Sequence, residues 1–533
     1  MAVKPLIAVI DLKVSEEPGF VTAGGRCVIK LVGSREKVDT DKFRIDFPLR
    51  ENAAEISFGS RYGTPLPGGI CLNSFRLRIS MDDAKEFDIQ NKVIPVYGNS
   101  DGGRFLYDLR DLKRGRNRHS RIIIRDGMSM YFRQTVYNTL TFTVRESNIY
   151  DTEEGDRRLE EARKRAKALK GRDIILMYEK NCSRYEESAS HLYEKLMDAG
   201  YDNVYFIVDT GIPAVQDLDE KYRRNLIEKD SDRHLEYFFA CDKFISSETI
   251  DHALQLRIAN THVRNKLTGR GLSYVFLQHG VMYMVSLNSK LRTGFKKNDN
   301  YKLYRTVVSS EAEARHFIDM AGMLPEDLYI TGLASFDTSY RHDDADKIII
   351  MPTWRRWETN QARDDVEQTG YFRMLGRMYD AVPDHLKDKV VILPHPLIAE
   401  KFRGEHAFGD HFMMADSYDK VFRDCALLIT DYSSIAYDAF YRGANVVFDW
   451  MDLDECMEHY GEDTHLMLND ENVFGRACRS EDELKKAVKE SYGKPQREED
   501  IERYRHIVEF HDGKNSERIM KKLIEDGIIE SKA

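Results

Sequence analysis

Two histidines stand in turns that follow short apolar runs: Leu277-Gln278-His279-Gly280-Val281 after Tyr274 to Leu277, and Leu393-Pro394-His395-Pro396 after Val390 to Leu393. At a strand's carboxy end His279 can take a proton from an attacking hydroxyl near neutral pH, with Gly280 expected to permit the sharp turn. His395, its loop stiffened by two prolines, can stabilise charge building on a transferring phosphoryl group. Each has a plainer reading, a histidine that only braces its own loop. In Ala426 to Trp450, an apolar strand runs into Thr430-Asp431-Tyr432-Ser433-Ser434, where a helix begins. Free backbone N–H groups and hydroxyls at a helix start hold phosphate, although either serine can equally be a simple N-cap. Met351-Pro352-Thr353-Trp354-Arg355-Arg356 also follows a strand. Thr353 and Arg355, with Thr430, Ser433 and Ser434, are the phosphate-binding candidates; the alternative for the arginines is a solvated basic loop. Asp431 and Asp438 are expected in capping or hydrogen-bonding roles, because no carboxylate cluster near them marks a metal site.

The elements that must position these residues fall into zones. Residues 1–155 show period-two alternation, as at Phe43, Ile45 and Phe47, at Phe75, Leu77 and Ile79, and at Leu140, Phe142 and Val144. This predicts a β-rich accessory domain, an antiparallel sandwich or barrel with one wet face. Residues 156–172 read as a charged, exposed helical linker. From 173 to 340 and again from 341 to 533, short apolar strands alternate with helices. The predicted strands are 173–178, 204–208, 243–246 and 274–277, then 347–351, 390–393 and 427–430. This texture predicts an α/β fold, two Rossmann-like domains in series, with the C-terminal helices assigned to the second and a cleft at the strand carboxy ends.

Composition narrows the classes. The net charge of −10 argues against a protein that coats nucleic acid. No apolar run approaches the roughly 18 residues of a membrane span, and the apolar part of MAVKPLIAVIDLK is too short for a secretion signal. A cytoplasmic location is expected, with docking on the inner membrane face left open. The seven cysteines are an odd number without a CxxC, against a disulfide framework or structural zinc. A basic run containing Lys113, Arg114, Arg116 and Arg118, assisted by the basic side of the linker from Arg163 to Arg172, can hold a polyanionic product or anionic headgroups, or simply be a solvated loop.

At the motif residues the sequence resembles the CDP-glycerol glycerophosphotransferase family, the teichoic-acid primases and polymerases. The resemblance covers roughly 170–525 and rests on LQHGV at 277–281, SSEAEARHF at 309–317, TGLASFD at 331–337, MPTWRRW at 351–357, LPHPL at 393–397 and LLITDYSSIAYD at 427–438. It implies a B-type glycosyltransferase arrangement and a donor such as CDP-glycerol; the residues name no required cofactor and leave a divalent cation open. It also implies that the functional histidines are His279 and His395 and the phosphate-binding serines Ser433 and Ser434. The acceptor it implies is a polyol-phosphate polymer or a lipid-linked precursor, with CMP released and no nucleic-acid partner. The chain departs from the family where Ala334-Ser335 replaces a frequent Pro-Arg pair, and where Met282-Tyr283-Met284 replaces a lysine after His-Gly. Transfer of ribitol phosphate, sugar transfer from a nucleotide sugar, and a non-catalytic glycan-binding role are the competing readings.

Overall fold

The computed structural model describes residues 4–532 apart from 34–35, 48, 87–91, 101–102, 112–120, 135–138, 255–260, 268, 270, 288–300, 359–360, 363–364, 396–407, 416 and 461–463. The chain divides into one unit of residues 1–167 with 254–269, and a second of 168–253 with 270–533.

The first unit is β-rich. Its nine-stranded sheet is built on Phe20–Val32 and Ile70–Ser80, antiparallel in continuous register from Phe20↔Ser80 to Lys30↔Ile70. Along Ile70–Ser80, Phe75, Leu77 and Ile79 turn inward while Ser74 and Arg76 are exposed, which is the alternation of a half-solvated sheet. A four-stranded sheet carries Met128–Gln134 and Leu140–Glu146. Both sheets feed one apolar core, Leu77 and Ile79 from one and Phe132, Phe142 and Val144 from the other, so the unit is a sandwich.

The expectation of one wet face fails at Leu140–Glu146, where all but the last residue are buried. On the face away from the core, Arg145 pairs with buried Asp151, which also accepts the Ser129 hydroxyl at 2.8 Å. The helix Glu153–Arg165, expected as an exposed linker, belongs to this unit and buries Leu159 and Ala162. Its outer face is laced by pairs within one turn, Arg163 with Glu160 and Arg165 with Glu161.

The second unit holds two parallel sheets. In the first, strands β1 (Ile175–Tyr178), β2 (Val204–Val208), β3 (Leu226–Glu228), β4 (Lys243–Ser246), β5 (Ser273–Phe276), β6 (Leu303–Val308) and β7 (Leu328–Ile330) lie in the order β3-β2-β1-β4-β5-β6-β7. In the second, β8 (Lys347–Ile350), β9 (Val390–Ile392), β10 (Cys425–Thr430), β11 (Asn445–Asp449) and β12 (Arg476–Cys478) lie in the order β9-β8-β10-β11-β12. Both are doubly wound orders with a reversal point, β1 and β4 flanking it in one sheet and β8 and β10 in the other. The strands are apolar on both faces, as parallel sheets require: Ile349 joins the core shared with the first sheet, whereas Ile348 and Ile350 pack under the helix Gly370–Asp380.

The helix Glu498–Ile507 keeps to the second sheet's side through Tyr504, whose hydroxyl donates to the Tyr437 carbonyl at 2.7 Å, but the helix Asn515–Glu525 and the chain end after it do not. Tyr201 donates to the Glu530 carbonyl at 2.7 Å, Lys243 to the Ile528 carbonyl at 2.8 Å, and Arg305 pairs with Asp526 at 2.6 Å. The end of the chain therefore crosses back to cover the first sheet. The seven cysteines are buried thiols outside any disulfide. Among the described residues no helix is long and apolar enough to cross a membrane.

Candidate active site

The carboxy ends of both sheets in the second unit open on one cleft of about 440 Å³. Three loops of the second sheet build one wall. After β8, Met351, Pro352 and Thr353 line it; after β9, His395; after β10, Tyr432, Ser433 and Ser434, followed by the helix α2 (Ile435–Tyr441), with the label α1 kept for Ser188–Asp198 of the first sheet. The first sheet supplies His279 and Gly280 after β5, Lys180 after β1, and Glu186, Glu187 and His191 around the start of α1.

His279 and His395, predicted from separate motifs, thus face the same space. Gly280 lies beside Ser434: a β-carbon on it would sit 3.7 Å from the Ser434 Oγ. Two further links tie the walls together behind the cleft, Tyr437 Oη donating to the Tyr283 carbonyl at 2.9 Å and the Val285↔Leu466 bridge.

The turn that presents His279 is not made by Gly280, which lies outside the left-handed region. Gln278 takes that conformation, with φ 59°. Its side chain is fully buried and its amide donates to the Val307 carbonyl at 2.5 Å. This anchor holds a backbone geometry that costs an ordinary residue about 1–2 kcal/mol and swings the next side chain outward. His279 is exposed on the cleft, and the protein beside it still strips part of the water from the ring. That loss of bulk water lowers its pKa below the ordinary histidine value; Glu187 and Glu248 oppose the shift and Lys180 adds to it.

Thr353 presents an Oγ1 with no hydrogen-bond partner among the described residues. Its N–H donates to Asp431 Oδ1 at 2.9 Å. Ser434 makes no capping bond with its own hydroxyl, so the simple N-cap reading fails for it. The His395 N–H donates to Tyr371 Oη at 3.2 Å.

Two predicted phosphate ligands are instead part of the scaffold. Arg355 is 2% exposed and away from the cleft. It donates to Asp431 Oδ2 at 2.6 Å, to the Thr353 carbonyl at 2.9 Å and to Asp452 at 2.8 Å. A buried guanidinium can persist only with such partners, and here it clamps the β8 loop to the β10 loop. Thr430 is also buried and donates to the Met351 carbonyl at 2.7 Å. Asp431 has the hydrogen-bonding role expected of it. Asp438 lines the cleft one turn after Ser434, and burial, reinforced by Glu187, pushes its pKa up to about 6 against the pull of Arg442. Lys113, Arg114, Arg116 and Arg118 lie outside the described residues.

Sequence reasoning passed over Lys180, Glu187, His191, Asp419 and Arg442, all of which line the cleft. Ser434, Asp438 and Arg442 are spaced by four on one helical face, a signal that was available. Lys180, Glu187 and Asp419 carry none, because their placement depends on loops from other strands. Among the described residues, no three His, Cys, Asp or Glu side chains gather as a metal site.

A cleft between two doubly wound sheets, with imidazoles and uncommitted hydroxyls at its walls, defines an α/β group-transfer enzyme. Residues 162–525 match the family described as CDP-glycerol:poly(glycerophosphate) glycerophosphotransferase, and the chain belongs to that family. The minor teichoic acid biosynthesis protein GgaB of Bacillus subtilis (strain 168) is 25% identical over 285 residues, 49% of this chain and 30% of GgaB, so the chain spans under a third of that relative. The solved wall teichoic acid polymerase TagF is 16% identical over 70% of this chain and 93% of its own, with a TM-score of 0.49. A putative UDP-N-acetylglucosamine 2-epimerase from Listeria monocytogenes is 11% identical over 67% of this chain and 97% of its own, with a TM-score of 0.36.

Proposed function

We propose that the chain transfers glycerol phosphate from CDP-glycerol to a hydroxyl of a polyol-phosphate polymer or its lipid-linked precursor, releasing CMP. The observation that carries this reading is the convergence of His279 with His395, Thr353, Ser433 and Ser434 on one cleft. An acceptor hydroxyl entering on the side of the first sheet gives its proton to His279, which its depressed pKa keeps neutral near pH 7. The oxygen attacks the phosphorus that bears glycerol. A new P–O bond forms, the pyrophosphate P–O bond breaks, and CMP leaves with the bonding pair. His395 and the hydroxyls of Thr353, Ser433 and Ser434 bind the diphosphate and the charge that builds on its oxygens. Arg355 acts indirectly, by holding Thr353 and Asp431 in register.

The test is CMP release on incubation with CDP-glycerol and a panel of polyol-phosphate and lipid-linked acceptors, alongside CDP-ribitol and UDP-sugars as donors. Release from CDP-glycerol with a phosphate-polymer acceptor is expected, and release only from a UDP-sugar overturns the proposal. A lipid-linked acceptor requires docking at a membrane surface. Salt-sensitive co-sedimentation with anionic vesicles tests whether the Lys113–Arg118 run provides it.

A further inference from the structure

The wall of the cleft formed by the first sheet carries a charged network that the transfer just proposed leaves without a role. Glu179, at the end of β1, is fully buried. Its carboxylate accepts the backbone N–H groups of Glu186, of Glu187 at 2.9 Å and of Ser190 at 3.2 Å, and so pins the start of α1. The next three residues, Lys180, Asn181 and Cys182, are all left-handed, with φ of 45°, 55° and 60°. Non-glycine residues in this region are strained and persist in series only where their surroundings hold them. Here Glu248 accepts the Asn181 N–H at 2.6 Å, the Glu179 carbonyl accepts the Cys182 N–H at 2.8 Å, and the Cys182 carbonyl accepts the Asp209 N–H at 2.9 Å.

This turn delivers Lys180 into the cleft, where its Nζ meets Glu187 Oε1 at 2.7 Å. The other Glu187 oxygen accepts the Ser247 hydroxyl at 2.6 Å. Next to it, the Ser246 carbonyl accepts the Leu277 N–H at 2.8 Å, so the loop after β4 is tied to the strand end that carries His279. Loops after β1, β4 and β5 and the start of α1 therefore meet beside one imidazole, at the point where the strand order reverses and such sheets bind ligands.

We infer that Glu187, clamped between Lys180 and Ser247, is a positioning residue for His279. It fixes the Ser247 loop, which is hydrogen-bonded to the backbone two residues before the imidazole. The ring is thereby held in the cleft, where an imidazole lone pair can take the proton of the acceptor hydroxyl. This inference rests on His279 acting as the base in the proposed transfer. The charged groups that face the ring are Lys180 and Glu187 from the β1 side and Glu248, itself paired with His252 at 2.7 Å, from the β4 side.

The experiment compares Glu187→Gln and Lys180→Met with wild type in pH profiles of kcat/KM for CMP release, together with the KM for CDP-glycerol. Glu187→Gln is expected to lower kcat about 10²-fold, the loss typical of a displaced reacting group, with an unchanged donor KM. Its acid limb moves to lower pH, because a carboxylate that favoured the imidazolium is gone; Lys180→Met moves the limb to higher pH. Glu187→Asp recovers part of the rate. Unchanged rates and limbs in both variants, or limbs that move in the same direction, overturn the inference. An NMR titration of the His279 ring in the same proteins needs no substrate. Opposite shifts there support the coupling even if no acceptor yields CMP, an outcome that would sink the transfer reading alone, whereas identical titrations sink the coupling whatever the activity.

Discussion

The two walls of the cleft are held by opposite devices. The wall of the first sheet presents charged side chains on strained backbone: Gln278, Lys180, Asn181 and Cys182 are all left-handed, and the Lys180–Glu187 pair sits at the cleft surface. The wall of the second sheet presents the imidazole of His395 and neutral hydroxyls on turns free of left-handed residues among those described, keeps Asp438 and the Arg442–Asp419 pair on the helices beside them, and buries Arg355 against Asp431 and Asp452 beneath them. The contrast suits two tasks. A base must be aimed and its charge tuned, which needs nearby ionised groups. An anion site must offer donors, so Asp431, the carboxylate within the hydroxyl-bearing turn, is taken up by Arg355.

The sharpest way to break this division is to remove the imidazoles. His279→Ala and His395→Ala are each expected to lower kcat about 10²–10⁴-fold, the range for loss of a general base or an oxyanion donor, read as CMP release. Wild-type rates in both would end the assignment of the walls.

Arg355→Met separates scaffold from ligand. Breaking a buried pair costs about 3–5 kcal/mol, so a large fall in unfolding free energy is expected from denaturant titration. A raised donor KM with unchanged stability would return Arg355 to the phosphate site.

Thr353→Val and Ser434→Ala sharpen the second wall. Each removes one hydroxyl bond to a charged ligand, about 1.5–3 kcal/mol, and should raise the donor KM roughly tenfold or more while sparing the acceptor KM.

The pH dependence reports on the first wall. His279 must be unprotonated to act, and crowding lowers its pKa. Activity should therefore hold through neutrality and fall only as pH drops through a value below the ordinary histidine pKa of about 6.5. An acid limb above that value would contradict the loss of solvation at the ring.

The smallest effect concerns strain alone. Asn181→Gly relieves a left-handed residue while adding freedom to the unfolded chain, so a stability change under about 1 kcal/mol is expected by thermal unfolding. A large loss would mean that the Asn181 side chain itself supports the turn.

Much of this was readable from residues in order. Runs such as Val204–Val208 and Lys243–Ser246 can be little but buried strands, and their boundaries hold in the structure. The motifs after β5, β8, β9 and β10 lie at strand ends because turn residues follow each apolar run. Amphipathic patterning also marked the helix Asn515–Glu525, but an apolar stripe does not say which surface will cover it. The sequence order suggested the second sheet, whereas the contacts of Arg305, Lys243 and Tyr201 draw the chain end to the first.

What the sequence by itself determined is local: which segments become strands, where they end, and which chemically able side chains stand at those ends. Periodicity and turn chemistry act over a few residues, so they are written in order along the chain. Only the tertiary structure decided that Arg355 would be spent on Asp431 and Asp452, and that Lys180, Glu187 and Ser247, from two different loops, would gather beside His279. A charged group's role depends on which partner the fold brings within about 3 Å and how much water it removes, and neither is a property of neighbours in sequence.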